Sequence, residues 1–239
     1  MHRYTLPDPA AAAEACCHTI IHLLEEALAG QDFASLAISG GTTPKLLFQR
    51  LAATKFRWDK VFLFFVDERC VPPTDDASNY KLAEENLIRP AHIPGRNVHR
   101  IFGELTPEAA AKRYVDEIRD FFALEDGAMP RFDVVHRGMG PDAHSASLFP
   151  GEPLIDDREG IASAVWVEKF HMWRVTLLPG ALLAAKHNVF LVCGEDKVEA
   201  VRAVFNEEYD PKKYPAQIAS HGGRGVSWFL DEAAAKKME

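Results

Sequence analysis

Long apolar runs are missing from this 239-residue chain. No stretch approaches the ~20 consecutive apolar residues that cross a bilayer. The opening Met1-His2-Arg3-Tyr4-Thr5-Leu6-Pro7 lacks the apolar core of a secretory signal. No membrane partner is expected, and the expected location is the cytoplasm. Basic runs are missing too. With 27 Lys and Arg against 35 Asp and Glu the formal net charge is -8, so no nucleic-acid surface is expected and an anionic ligand would need a local basic pocket. Cysteine is scarce. Cys16, Cys17, Cys70 and Cys193 are too few for a disulfide framework at this length, adjacent cysteines seldom bridge, and none has C-x-x-C spacing for zinc. His18 and His22 share a helical spacing, but no third metal ligand lies nearby, which favours a solvated helix face. Repeats, low-complexity tracts and linker-like segments are also lacking. Residues 1–239 are therefore expected to form one α/β domain, with 47% hydrophobic content to fill its core.

What is present alternates between strand and helix patterns. Asp8 and Pro9 read as a cap and first helical residue of a helix that Gly30 stops, with Ile20, Leu23, Leu24, Ala27 and Leu28 at helical spacing. Leu36-Ala37-Ile38 is a short apolar strand. It breaks into Ser39-Gly40-Gly41-Thr42-Thr43-Pro44, after which Leu46, Leu47 and Leu51 form a helical stripe. Val61 to Val66 is continuously apolar, as in a central strand covered on both faces. Ser78 can cap a helix through about Leu87, and Thr106-Pro107-Glu108 opens another with Ala110, Tyr114, Ile118 and Phe121 or Phe122 inward. Strands are expected over 164–167, 174–178, 189–193 and 226–230, the last two followed by helices. The order predicts a mostly parallel central sheet flanked by helices on both faces.

In such a sheet, ligands gather beyond the carboxyl ends of the strands. Four strand ends carry chemistry. The Gly40-Gly41-Thr42 loop can wrap an anion at a helix N-terminus, where unpaired N–H groups and a partial positive charge converge; the Walker lysine is absent, so a nucleoside triphosphate is not indicated. Arg69, in Asp67-Glu68-Arg69, is the best-placed single anion ligand. Lys197, in Gly194-Glu195-Asp196-Lys197, opens a helix at the end that repels cations unless an anion is bound. The fourth end is the most suggestive. After Phe132-Asp133-Val134-Val135-His136-Arg137, the turn Gly138-Met139-Gly140-Pro141-Asp142-Ala143-His144 forbids further strand and presents a carboxylate and an imidazole, with Ser145 and Ser147 as spare donors. Gly138-Met139-Gly140-Pro141-Asp142-Ala143 also fits the dinucleotide fingerprint G-x-G-x-x-G/A. Pro150 and Pro153 interrupt the helix that fingerprint requires, and no acidic strand end follows at ~20 residues.

Taken together, these loops, with Ser145-Ala146-Ser147-Leu148-Phe149-Pro150, Arg174-Val175-Thr176 and the tail Trp228-Phe229-Leu230-Asp231-Glu232-Ala233-Ala234-Ala235, resemble the 6-phosphogluconolactonase family in the order of its motifs. The resemblance covers nearly the whole chain. It implies a modified Rossmann-like α/β domain, shared with glucosamine-6-phosphate isomerases, that hydrolyses a sugar-phosphate lactone without metal or organic cofactor. It further implies His144 as general base oriented by Asp142, with the phosphate held by Gly40, Gly41, Thr42, Arg69 and Lys197, and Arg174 as a further candidate. A monomer is expected. A sugar-phosphate isomerase or deaminase of the same fold, and a non-catalytic sugar-phosphate sensor, are the rivals. Two departures carry expectations. Ala143 stands where the family has glycine, and would strain the loop by about 1 kcal/mol if that position needs positive φ. His136 and Arg137 replace apolar residues at a strand end expected to be buried.

Overall fold

The computed structural model of the protein describes residues 1–238. In chain order the elements are β1 (His2–Leu6), α1 (Pro9–Gly30), β2 (Ala34–Ile38), α2 (Thr42–Ala52), β3 (Val61–Phe65), β4 (Asp67–Arg69), α3 (Asn79–Ala83), β5 (Val98–His99), α4 (Pro107–Phe122) and β6 (Val134–Arg137). They continue as β7 (Ala162–Val167), β8 (Met172–Leu177), α5 (Pro179–Ala184), β9 (His187–Val192), α6 (Val198–Asn206), α7 (Gln217–Gly222), β10 (Val226–Asp231) and α8 (Glu232–Ala235). Among the described residues, no helix is long and apolar enough to cross a membrane.

Seven strands form one parallel sheet in the order β1-β10-β9-β6-β2-β3-β5. The chain winds outward from β2 through β3 to β5, then returns to β6 and winds the other way through β9 and β10. The reversal falls between β2 and β6, the neighbours whose following loops carry Gly40-Gly41-Thr42 and Asp142-Ala143-His144. A crevice opens at such a switch point because the two connections leave on opposite sides of the sheet. The fold therefore brings together two loops about a hundred residues apart in sequence.

Local chemistry starts the helices where expected. Asp8 Oδ1 accepts from Ala11 N at 2.8 Å with Pro9 behind it, and Ser78 Oγ accepts from Lys81 N at 3.1 Å. The helix expected through Leu87 is instead α3 followed by a single π turn over Glu84–Ile88. Phe62 and Phe64 of β3 pack on Phe121 of α4, and Tyr114 of the same helix bonds both the N–H and the carbonyl of Phe65. Asp67-Glu68-Arg69 does more than end a strand. These residues turn away as β4 and pair antiparallel with β8, which pairs with β7 in a second, three-stranded sheet. That sheet lays Arg174 directly opposite Arg69.

The β6 end is buried as expected, with His136 at 0% and Arg137 at 1% exposure. Among the described residues neither imidazole nitrogen of His136 has a partner, and its ring lies beside Phe48 of α2. Burial pushes its pKa down to about 3. Because the ordinary value is near 6.5, the unfolded chain binds more protons between those limits, so stability falls as pH drops through that window. The loss reaches roughly 3 kcal/mol by about pH 4. His136→Leu is expected to raise stability at pH 7 and to flatten its decline in acid, measured by urea unfolding at pH 7 and pH 4.5. Equal pH dependence in both proteins would refute the assignment.

Candidate active site

The β2 loop is shaped for close approach. A Cβ on Gly40 would lie 2.0 Å from Asn79 Oδ1, and Gly41 has φ 122°, so both positions exclude ordinary side chains. Asn79 is itself pinned, its amide donating to the Asp67 carbonyl at 2.8 Å. Helix α2 then starts at Thr42 with no side-chain cap and no acidic residue in its first turn. Its N-terminal N–H groups are thus left for an anion.

The second sheet supplies the cations. Arg69 and Arg174 face each other across β4 and β8, and both Nε atoms are buried without a partner among the described residues. Like charges directly opposite repel, and an anion placed between them reverses the sign. Burial draws the Arg174 guanidinium below its usual range; its nearest carboxylate oxygen, on Asp67, is 3.9 Å away. Arg69 keeps one bond, Nη1 to the Ala77 carbonyl at 2.5 Å. Glu68 points elsewhere. Its carboxylate accepts from the N–H groups of Arg69, Asn79 and Tyr80 and from Ser78 Oγ, closing the loop that follows β4. Burial raises its pKa even so.

The β6 loop supplies a carboxylate–imidazole pair. His144 Nδ1 donates to Asp142 Oδ1 at 2.5 Å, leaving Nε2 as the nitrogen available for chemistry. Lys169, from the turn between β7 and β8, donates to the other carboxylate oxygen at 2.9 Å. Burial alone would raise the Asp142 carboxyl, but bonds from His144 and Lys169 outweigh it and hold the group well below the ordinary carboxylate range. Phe149 stacks on the imidazole with centroids 4.0 Å apart. Ala143 has φ 60°, the left-handed conformation that the missing glycine would have adopted without penalty. Its carbonyl accepts from Ala216 N at 2.9 Å, and Gly140 N donates to the His144 carbonyl at 3.0 Å, which holds the strained turn in place.

These groups surround one cavity of about 420 Å³. Gly40, Gly41, Thr42, Arg69, His144, Arg174 and Lys197 line it, and Asp142 stands behind the imidazole. Lys197 also pairs with Asp196 at 2.8 Å, so its charge is partly engaged. Asn79 reaches the cavity and Tyr80 does not. Ser145 and Ser147, expected as spare donors, are buried in bracing roles: Ser147 Oγ donates to Asp67 at 2.6 Å, and Ser145 Oγ donates to the Gly138 carbonyl at 3.0 Å. Lys169 and Phe170 were not legible as site residues. Their signal is a charged and aromatic turn, Glu168-Lys169-Phe170-His171, and only the second sheet brings Phe170 to the cavity wall and Lys169 to Asp142 behind it.

Comparison with known proteins finds relatives over nearly the whole chain. The family model for glucosamine-6-phosphate isomerases/6-phosphogluconolactonase matches residues 7–228. The 6-phosphogluconolactonase of a Nostoc species is 33% identical over 234 residues, covering 98% of this chain and 96% of that protein. Among solved structures, the 6-phosphogluconolactonase of Trypanosoma brucei superposes with a TM-score of 0.87 at 27% identity, covering 100% of this chain and 98% of that one. A monomeric glucosamine-6-phosphate deaminase superposes with a TM-score of 0.84 at 17% identity, covering 99% and 100%, a likeness of fold alone. With the match running through every strand end that lines the cavity, the chain belongs to the glucosamine-6-phosphate isomerase/6-phosphogluconolactonase family.

Proposed function

We propose that this protein hydrolyses 6-phospho-D-glucono-1,5-lactone to 6-phospho-D-gluconate in the oxidative pentose phosphate pathway, as a single cytoplasmic sugar-phosphate-binding domain acting as a monomer. The observation that carries the proposal is the division of one cavity. An imidazole backed by a carboxylate occupies one part, and two facing arginines with an open helix N-terminus occupy another. A lactone bearing a remote phosphate needs that combination.

In this reading Nε2 of neutral His144 takes a proton from water as the oxygen attacks the lactone carbonyl, then returns it to the ring oxygen as the ester bond breaks. Asp142, held ionised, fixes the ring orientation and stabilises the imidazolium formed in between. The phosphate is held by Arg69, Arg174, Lys197 and the Gly40-Gly41-Thr42 turn. It does not react. Binding energy from this distant group aligns the carbonyl with His144. No metal or organic cofactor enters the scheme.

The choice between reactions of the family is tested by supplying two substrates. Freshly generated 6-phosphogluconolactone is expected to disappear above its spontaneous rate, and glucosamine 6-phosphate is expected to release no ammonia. Ammonia release with no lactone turnover would assign the deaminase reaction. Tight 6-phosphogluconate binding with neither reaction would assign the sensor.

Gly140 offers a further check. A Cβ there would lie 2.1 Å from the His144 ring, so Gly140→Ala must displace the imidazole. A displacement of about 1 Å lowers rates by about 10²-fold, and kcat on the lactone is expected to fall by that order. Unchanged kcat would mean that the ring's position does not matter.

A further inference from the structure

Arg137 is the last residue of β6 and is 1% exposed. It does not line the cavity. Among the described residues burial alone acts on its charge, with no carboxylate beside it, and its Nη1 has no hydrogen-bond partner. The guanidinium sits 4.9 Å from the centroid of Phe190, a member of the apolar cluster that also holds Met139, Ala143, Val192 and Trp228. Burial pulls its pKa down to about 9, which leaves it charged at neutral pH. A methionine of similar length would fill this space without burying a charge. The arginine therefore weakens the fold, and its use must be sought in what it touches.

It touches the base-bearing loop. Arg137 Nε donates to Ser145 Oγ at 2.9 Å, and Ser145 Oγ donates to the Gly138 carbonyl at 3.0 Å. This chain joins the start of the loop to the residue just after His144. The same residue lies between the two positive-φ alanines, Ala143 at 60° and Ala146 at 56°. A non-glycine residue in that conformation tends to relax unless its surroundings prevent it. The bond to Ser145 acts where relaxation would swing His144 away from Asp142.

We propose that Arg137 is a positioning residue for His144: through Ser145 it ties the two ends of the strained 138–146 loop together, at the expense of fold stability. The inference rests on His144 being the base. If the bond holds His144 in its productive place, its loss lowers kcat and leaves phosphate binding, and hence KM, largely untouched.

The test compares Arg137→Met, Arg137→Lys, Ser145→Ala and the Arg137→Met/Ser145→Ala double variant. For each, kcat and KM for 6-phosphogluconolactone are measured alongside the urea unfolding midpoint. Arg137→Met is expected to lower kcat about 10- to 100-fold, change KM less than about 2-fold, and leave the midpoint unchanged or higher. Arg137→Lys should recover little, because a lysine lacks the Nε geometry that meets Ser145. The double variant should be no slower than the slower single one, since both cut the same tie. Wild-type kcat in Arg137→Met would overturn the proposal. So would a loss of kcat accompanied by a lower midpoint, or multiplicative losses in the double variant. Should Arg137→Met not fold, Ser145→Ala alone decides by the same kcat and KM criteria. His144→Ala separates the two levels: if it is as active as wild type, the base assignment itself has failed, whereas an inactive His144→Ala beside a fully active Arg137→Met refutes only the role of Arg137.

Discussion

His144→Ala is expected to slow 6-phosphogluconolactone hydrolysis by about 10²- to 10⁴-fold, the range attached to a well-placed base, while 6-phosphogluconate still binds. The geometry explains why the loss is in rate. Nδ1 of the ring is engaged by Asp142, Phe149 covers one ring face, and the groups proposed to hold the phosphate lie on other strand ends. Removing the imidazole thus leaves the anion site untouched. His144→Asn is the companion variant: it keeps a polar side chain but cannot accept a proton near neutral pH, and it is expected to be as slow as alanine. Recovery of activity in either variant would place the base elsewhere.

The second large effect concerns the phosphate. Arg69→Ala is expected to weaken kcat/KM for phosphorylated lactone by roughly 2–3 kcal/mol, about 30- to 150-fold, the worth of a charge-assisted hydrogen bond in a partly buried site. The unphosphorylated lactone should barely notice. Arg69 sits opposite Arg174 with its Nε unpaired, and in the free protein the two positive charges repel. Bound phosphate converts that repulsion into two attractions. Arg69→Ala therefore also relieves a strain, and the unliganded protein is expected to be no less stable. Measured activity on both lactones checks the first point and urea unfolding without ligand the second. Equal losses on both substrates would remove Arg69 from the phosphate site.

Much of this site was readable in the residues, and the exceptions have physical causes. Gly40-Gly41-Thr42 and Gly138-Met139-Gly140 stand out because an apolar strand followed by glycines has few other uses than a tight turn at a strand end. Ala143 was readable only through the resemblance, which puts glycine at that position, and the φ of 60° found there is one that favours glycine. Strand β1 was missed because it is an edge strand, its first four residues exposed, and it lacks the apolar signature of its partners. The second sheet escaped for a different reason. Pairing of β4 with β8 joins residues over a hundred positions apart, and no local pattern reports it. For the same reason neither Phe170 at the cavity wall nor Lys169 beside Asp142 could be placed from the chain alone. Ser145 and Ser147 show the limit of spacing arguments, since neighbouring hydroxyls on one loop both turned inward to brace it.

The most direct measurement is the ratio of kcat/KM for freshly generated 6-phosphogluconolactone to that for the unphosphorylated lactone, with spontaneous hydrolysis subtracted, in wild type, His144→Ala and Arg69→Ala. One cavity with a base at one part and a phosphate clamp at another predicts that His144→Ala depresses both substrates together and keeps the ratio, while Arg69→Ala collapses the ratio. A ratio indifferent to Arg69, or wild-type protein with no turnover of either lactone, would contradict it.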